Sequence, residues 1–261
     1  GRFGNQIFQY AFLKIYALRH GLRVETPPWI GQYLFGHNDP PLSGPLPMIM
    51  QRTYKLHEDD IPNAPVPYRD VDFYGYFQYH TSYYAPYKEY FCSLFKPVPD
   101  IEAWVNQYVQ KLRNLGNTLV GLHLRRGDYG TYHQPGLDYF YVAPNEWYLE
   151  WLQSIWSGLD RPVLFIASDE PYKVLGDFQA YAPVTSAHLG ASLPGAEFYP
   201  DFYILTRCDV LAISNSSFSF AASMLNREGK LFMRPHRELG ALVPYDPWNS
   251  EPILRSKDAI L

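Results

Sequence analysis

Three short clusters in this chain carry chemistry-bearing side chains directly after apolar runs. His123-Leu124-Arg125-Arg126-Gly127-Asp128-Tyr129 closes the run 119–124 and gathers an imidazole, two guanidiniums and a carboxylate. Ser168-Asp169-Glu170 follows the run 163–167 and is acidic. Ser214-Asn215-Ser216-Ser217-Phe218-Ser219 ends the run 210–214, is rich in hydroxyls and leads into residues with helical spacing. A helix start offers unpaired backbone N–H groups, and with serine hydroxyls it makes an anion site. Arginines add planar, permanently charged donors, so the clusters together describe a phosphate or diphosphate pocket. The alternative for the arginines is a surface ion pair with Asp128 or Asp169. The coincidence of three polar strand ends favours the pocket.

Such clusters need elements to hold them. Strand-like runs at 119–124, 163–167, 183–185, 210–214 and 230–233 alternate with helical stretches at 146–156, 172–178, 202–208 and 218–226. This alternation predicts an α/β fold whose parallel sheet is covered on both faces, with ligands at the carboxyl ends of the strands. Nearer the start, Ile7, Phe8, Ala11, Phe12, Ile15 and Leu18 predict a helix over 6–20, stopped at Gly21. Residues 1–5 read as a glycine-bearing loop that feeds N–H groups into that helix. Residues 26–67 are rich in proline and turn formers and read as irregular surface excursions. A strand is expected at 73–79 and an aromatic helix at 82–95. A linker near 111–116 divides the chain into lobes 1–115 and 116–261.

Composition removes several function classes. Net charge is −4 and no basic run exceeds two residues, so a nucleic-acid-binding face is not expected. No apolar run approaches the ~18 residues of a membrane span, and no signal-peptide pattern is visible. The expected compartment is the cytoplasm, with an initiating methionine and a first strand read as missing ahead of Gly1. Cys92 and Cys208 lack metal-ligand spacing and read as inert core thiols. Aromatics reach 17%, enough for an aromatic core and also for faces that stack on sugar rings or bases. Asp70-Val71-Asp72 would place two carboxylates on one strand face, suitable either for a divalent metal or for plain solvent exposure. Arg126-Gly127-Asp128 spells an adhesion tripeptide and Asn215-Ser216-Ser217 a glycosylation sequon, yet both lie where a pocket is expected.

Four segments carry a family resemblance: GRFGNQIFQYA (1–11), FYGYFQYHTSYY (73–84), LHLRRGDY (122–129) and DFYILTRCDVLAISNSSFSFAA (201–222). Together they resemble the inverting fucosyltransferases, most closely the bacterial α-1,2-fucosyltransferase family with its GxGNQxFQYA, GYFQ, HxRRGDY and SNSxFSWWAA motifs. The resemblance implies a two-lobed, GT-B-like fold with a Rossmann-like C-terminal lobe, the first lobe serving the acceptor. It also implies GDP-fucose as donor, a glycan acceptor and no metal or other cofactor. Carried over by position, Arg125 contacts the β-phosphate of GDP and His123 lines the nucleotide pocket. Asp201 reads the guanine edge, Ser216 and Ser217 hold the diphosphate, and Gly4 and Asn5 reach it from the other lobe. Arg126, Asp169, Ser214, Asn215 and Phe218 complete the expected donor-binding set. The sequence departs from the family at Ser168-Asp169-Glu170, where an SDD is usual, and at Phe220-Ala221, where a tryptophan pair is usual.

Inverting transfer needs a base as well as an anion site. Asp128 is close to the site, but a carboxylate beside two arginines suits orienting them better than removing a proton. His133, in the loop 129–145, has the side chain whose ordinary titration suits that task, with an ordinary loop histidine as the other reading. GRFGNQ also echoes protein O-fucosyltransferases, although a chain without cysteine pairs fits secretory work poorly. A sugar-binding module without catalysis is the reading from another class. It would bind glycan without GDP, and it leaves the arginine pair and the SNSSFS block unexplained.

Overall fold

In the computed structural model, which describes residues 2–131 and 139–255, the chain opens on helix α1 (Phe3–His20). Ile7, Phe8, Ala11, Phe12 and Ile15 are fully buried along it, which is why this helix runs through the interior. There follow α2 (Gly31–Phe35), β1 (Met48–Met50), α3 (Asp60–Asn63), β2 (Asp72–Tyr74), α4 (Lys88–Leu94) and α5 (Pro99–Leu115). The second half contains β3 (Thr118–Leu124), α6 (Asn145–Ile155), β4 (Pro162–Ser168), α7 (Ser186–Leu189) and α8 (Tyr199–Leu205). It closes with β5 (Val210–Ala212), α9 (Ser217–Leu225), β6 (Leu231–His236) and β7 (Ala241–Pro244).

The main sheet has the order β4-β3-β5-β6-β7, parallel except for the β6–β7 pair. From β3 the chain moves outward to β4, then returns to place β5 on the other side of β3. That reversal opens a crevice beyond the carboxyl ends of β3 and β5, where α/β sheets bind ligands. Strand alternation sorts the side chains between two layers. Leu119, Phe165, Ala167, Leu211 and Ile213 join the apolar cluster containing α1, α5, α8 and α9. Val120, Leu122, Leu124, Ile166 and Ala212 join the cluster on the α6 face. The first cluster runs without a break from residues of the first 115 into the C-terminal half, with the Phe8 ring 6.0 Å from Tyr84 and 6.4 Å from Phe220.

Several local expectations change. The first helix starts at Phe3, so Gly4 and Asn5 sit in its opening turn rather than in a loop. The strand expected at 73–79 is only the three residues of β2, because Phe77 takes a left-handed φ of 51°. Asp70 is also left-handed, at φ 52°, so Asp70 and Asp72 do not alternate along one strand. Pro86 breaks the stretch 82–95 into 3₁₀ turns at Thr81–Tyr83 and Ala85–Tyr87 before α4. The segment 172–178 is 3₁₀ rather than α-helical, and the strand expected at 183–185 is a single bridge between Phe165 and Val184. Helix α5 and the antiparallel strand β7 were not expected at all. Since Phe8 is fully buried between the two halves, Phe8→Ala is expected to cost ~3–5 kcal/mol. Urea denaturation followed by circular dichroism checks this, as a lowered midpoint in one cooperative transition.

Candidate functional site

The crevice at the carboxyl ends of β3 and β5 is a cleft of about 790 Å³. Two helices aim their first turns at it. Gly4 at the start of α1 packs directly on the start of α9: a Cβ there would lie 2.6 Å from the Ser217 carbonyl carbon and 2.7 Å from Phe218 Cα. Only glycine permits this approach. Free N–H groups and the positive dipole ends of both helices therefore meet on the cleft wall, where Gly4, Asn5, Ser216, Ser217 and Phe218 all line the cavity. Each dipole end is equivalent to roughly half a positive charge, so the pair favours an anion.

Arg125 adds the full charge. On β3, His123 projects to the α9 side, and Arg125, two residues on, follows it into the cleft. Its guanidinium is paired with Asp128 and, at 2.9 Å, with Asp169, and it lies 5.2 Å from the Tyr129 ring centroid. Asp128 is held in turn by Arg2 at 3.0 Å. Gly127, at φ 26°, lets the Asp169 carboxylate pack against its backbone, where a Cβ would lie only 3.3 Å from the carboxyl carbon. Asp169 Oδ1 also accepts the Arg126 N–H at 2.8 Å, and Glu170 accepts the Gly127 N–H at 2.9 Å. The acidic end of β4 thus fixes the backbone of the arginine loop and orients Arg125.

Three further groups shape the cleft. His123 is buried, and its Nδ1 is hydrogen-bonded to Ser214 Oγ at 2.7 Å and to Ser219 Oγ at 2.8 Å. Burial, reinforced by the nearby Arg126 charge, pushes the imidazole down to about 3, so it is neutral at ordinary pH. Asn5 accepts through Oδ1 from Gln78 Nε2 and from Ser217 Oγ, both at 2.7 Å, joining α1, the segment after β2, and α9. Asp201 lines the cleft with Oδ1 buried and without a hydrogen-bond partner among the described residues. Burial raises its carboxyl to about 7, against a lowering contribution from Ser186. An orphaned buried carboxyl oxygen in a cavity is suited to accepting N–H groups from a ligand.

Other expected residues serve the site from outside the cavity. Arg126 has the opposite parity to Arg125. Its guanidinium turns to the α6 side, donating to Arg125 O and to Asn145. Ser214 reaches His123 but not the cleft. Asn215 is buried, its Nδ2 donating to the Tyr139 and Leu254 carbonyls, which leaves the sequon amide inaccessible. His133 lies outside the described residues. Among the described residues no three His, Cys, Asp or Glu side chains form a metal-ligating group. No described helix is long and apolar enough to cross a membrane. Sequence reasoning missed Arg2, Tyr76, Tyr129, Phe140, Glu197 and Phe198 on the cleft wall. Tyr76 and Tyr129 fall inside motif blocks that were already visible, whereas nothing in the pattern marked Glu197 or Phe198.

No protein-family model and no curated protein matches the sequence. Solved structures do. The α-1,6-fucosyltransferase NodZ, determined from Bradyrhizobium and soaked with GDP-fucose, superposes with a TM-score of 0.59 at 15% identity, covering 94% of this chain and 95% of NodZ. FUT1 from Arabidopsis thaliana in complex with GDP gives 0.55 at 13% identity over 94% of this chain and 72% of that one. POFUT1 in complex with GDP-fucose gives 0.52 at 12% identity over 88% and 92%. The chain has the α/β, GT-B-type fold of these fucosyltransferases.

Asp201 generates a test. Its folded pKa lies above its unfolded value, so the folded state binds more protons between about pH 4 and 7 and loses stability as pH rises through that window. Asp201→Asn removes this penalty. It is expected to melt above the parent chain at pH 8, with the gap closing toward pH 4. Melting temperatures across that range check it.

Proposed function

We propose that this chain is an inverting, metal-independent fucosyltransferase that moves L-fucose from GDP-fucose to a glycan hydroxyl, forming an α-1,2 linkage. The observation that carries the reading is the convergence of two helix N-termini and Arg125 on one cleft. The structures with the same fold include enzymes solved with GDP or GDP-fucose. In transfer, the acceptor oxygen bonds to the anomeric carbon as the bond from that carbon to the β-phosphate oxygen breaks, and the hydroxyl proton passes to a base. Negative charge grows on the departing GDP. Fixed N–H dipoles and a guanidinium stabilise that charge without reorganising, which is the largest contribution available to such a site.

In this reading Arg125 takes the β-phosphate, with Asp128 and Asp169 holding the guanidinium in place beforehand. Ser216 binds the diphosphate through its hydroxyl and Ser217 through its backbone N–H, the Ser217 hydroxyl being given to Asn5. His123, neutral and fixed through Nδ1, packs 5.2 Å from the Phe218 ring and lines the nucleoside region. Asp201 accepts from the guanine edge. Both Asp128 oxygens are engaged by guanidiniums, which suits orientation, so His133 is the proposed base.

Residues 2–115 are proposed as the acceptor side. A groove of about 380 Å³ runs there along α1, lined by Gln6, Gln9, Glu25, Trp29 and Asp72. It combines an aromatic face with amide and carboxylate groups, the mixture that a neutral sugar chain requires. The POFUT1 likeness also favours a second reading, transfer to a protein hydroxyl.

A transfer assay with GDP-fucose and panels of glycan and peptide acceptors, followed by linkage mapping, tests these readings. Transfer to glycan is expected. Transfer to peptide alone would favour the second reading, and no transfer to either would contradict both. Arg125→Lys is expected to fold normally and lose ~10²–10³ in kcat, because a point charge replaces a planar fork. Near-parental turnover would remove Arg125 from the mechanism. His133→Ala should flatten the acidic limb of the pH–rate profile, and Trp29→Ala should raise acceptor KM while leaving donor KM in place.

A further inference from the structure

The hydrogen bonds that converge on Asn5 begin far away in sequence, at Arg255. Arg255 Nη2 donates to Gln78 Oε1 at 2.8 Å, and Gln78 Nε2 donates to Asn5 Oδ1 at 2.7 Å. A guanidinium only donates. It therefore decides which end of the Gln78 amide faces it. Gln78 must then present N–H to Asn5, and Asn5 must answer with its oxygen, which also takes the Ser217 hydroxyl. What remains for the cleft is Asn5 Nδ2, which has no partner among the described residues. We propose that Arg255 is a positioning residue for the donor phosphates. Through Gln78 it sets the polarity of a relay so that Asn5 presents N–H groups to the bound anion. This inference rests on the donor reading above.

Arg255 is itself held with care. Its guanidinium lies 3.4 Å from the Tyr54 ring centroid and 5.2 Å from that of Tyr139, and Nη1 donates to Ile253 O at 3.3 Å. Among the described residues it has no carboxylate ion-pair partner. Glu251 acts on it only from beyond ion-pair distance, so burying the guanidinium remains costly, and a nearby bound diphosphate would offset that cost. The segment that delivers it is strapped to the sheet by Asn215. The Asn215 amide donates to Leu254 O at 2.9 Å and accepts from Leu254 N at 2.9 Å, as a neighbouring strand would. Arg234 adds a bond to Glu251 O at 2.6 Å. Asn215 thus reaches the cleft indirectly, through the strap that carries Arg255.

A double-mutant cycle on the whole chain tests the relay, with GDP and guanosine affinities measured by calorimetry and melting temperatures alongside. Arg255→Met and Gln78→Met are each expected to weaken GDP by roughly tenfold or more, the usual size of a hydrogen bond to a charged group, with guanosine unaffected. The double variant should be no weaker than the worse single variant, because both act through one chain. Arg255→Lys, still only a donor, should stay within about threefold of the parent. Gln78→Glu keeps the shape but can only accept, so it should bind GDP more weakly without melting lower. This variant decides the matter if Arg255→Met does not fold. Losses that add in the double variant, or unchanged GDP affinity in Gln78→Glu, would overturn the relay while leaving the donor reading intact. A parent chain that binds no GDP would overturn both.

Discussion

The contact between Gly4 and the Ser217–Phe218 backbone is the constraint on which the rest of the site depends. Two helices can point their N-termini at one place only if their first turns come close, and the side chain of any other residue at position 4 would hold them apart. Given that contact, the topology does the remainder. Because β4 and β5 lie on opposite sides of β3, the end of β3 opens into a crevice, and the start of α9 closes one side of it. Arg125 leaves β3 at that point. The cleft is therefore positive through backbone geometry before any charged side chain is considered.

The side chains then refine a field that already exists. Asp128 and Asp169 keep the Arg125 guanidinium oriented in the absence of ligand, and Glu170 pins the loop beneath it. Orientation in advance is what lets fixed charges act on a transition state without the delay of rearranging. His123 contributes no charge, because it is buried and neutral. Its place is set by two serine hydroxyls, one before α9 and one within it. The carboxyl of Asp201 is expensive to bury, and an orphaned oxygen in a cavity marks where a ligand would repay that cost.

Much of this was legible in the sequence. The runs 119–124 and 163–167 fall within β3 and β4, and the polar residues after them meet at the cleft as strand-end logic requires. Even the separation of the two arginines follows from parity: Arg125 shares a face with His123, and Arg126 shares one with Leu124. Helix α5 was readable too, from Pro99 at its start and Ile101, Val105, Tyr108 and Leu112 along one face, but the nearby linker signal hid it. Other features needed the structure. The left-handed backbone at Asp70 and Phe77 breaks an alternating pattern that looks regular on paper. Local pattern could not show that Asn215 serves a distant strap, or that Gln78 and Arg255 stand 177 residues apart yet share a hydrogen bond.

The most direct test of the account is calorimetric titration of the chain with GDP, GMP and guanosine, each with and without EDTA. If fixed dipoles and Arg125 form the diphosphate site, affinity should fall stepwise from GDP to GMP to guanosine, and EDTA should leave the series unchanged. Equal affinity for GDP and guanosine, or GDP binding that vanishes in EDTA, would contradict it.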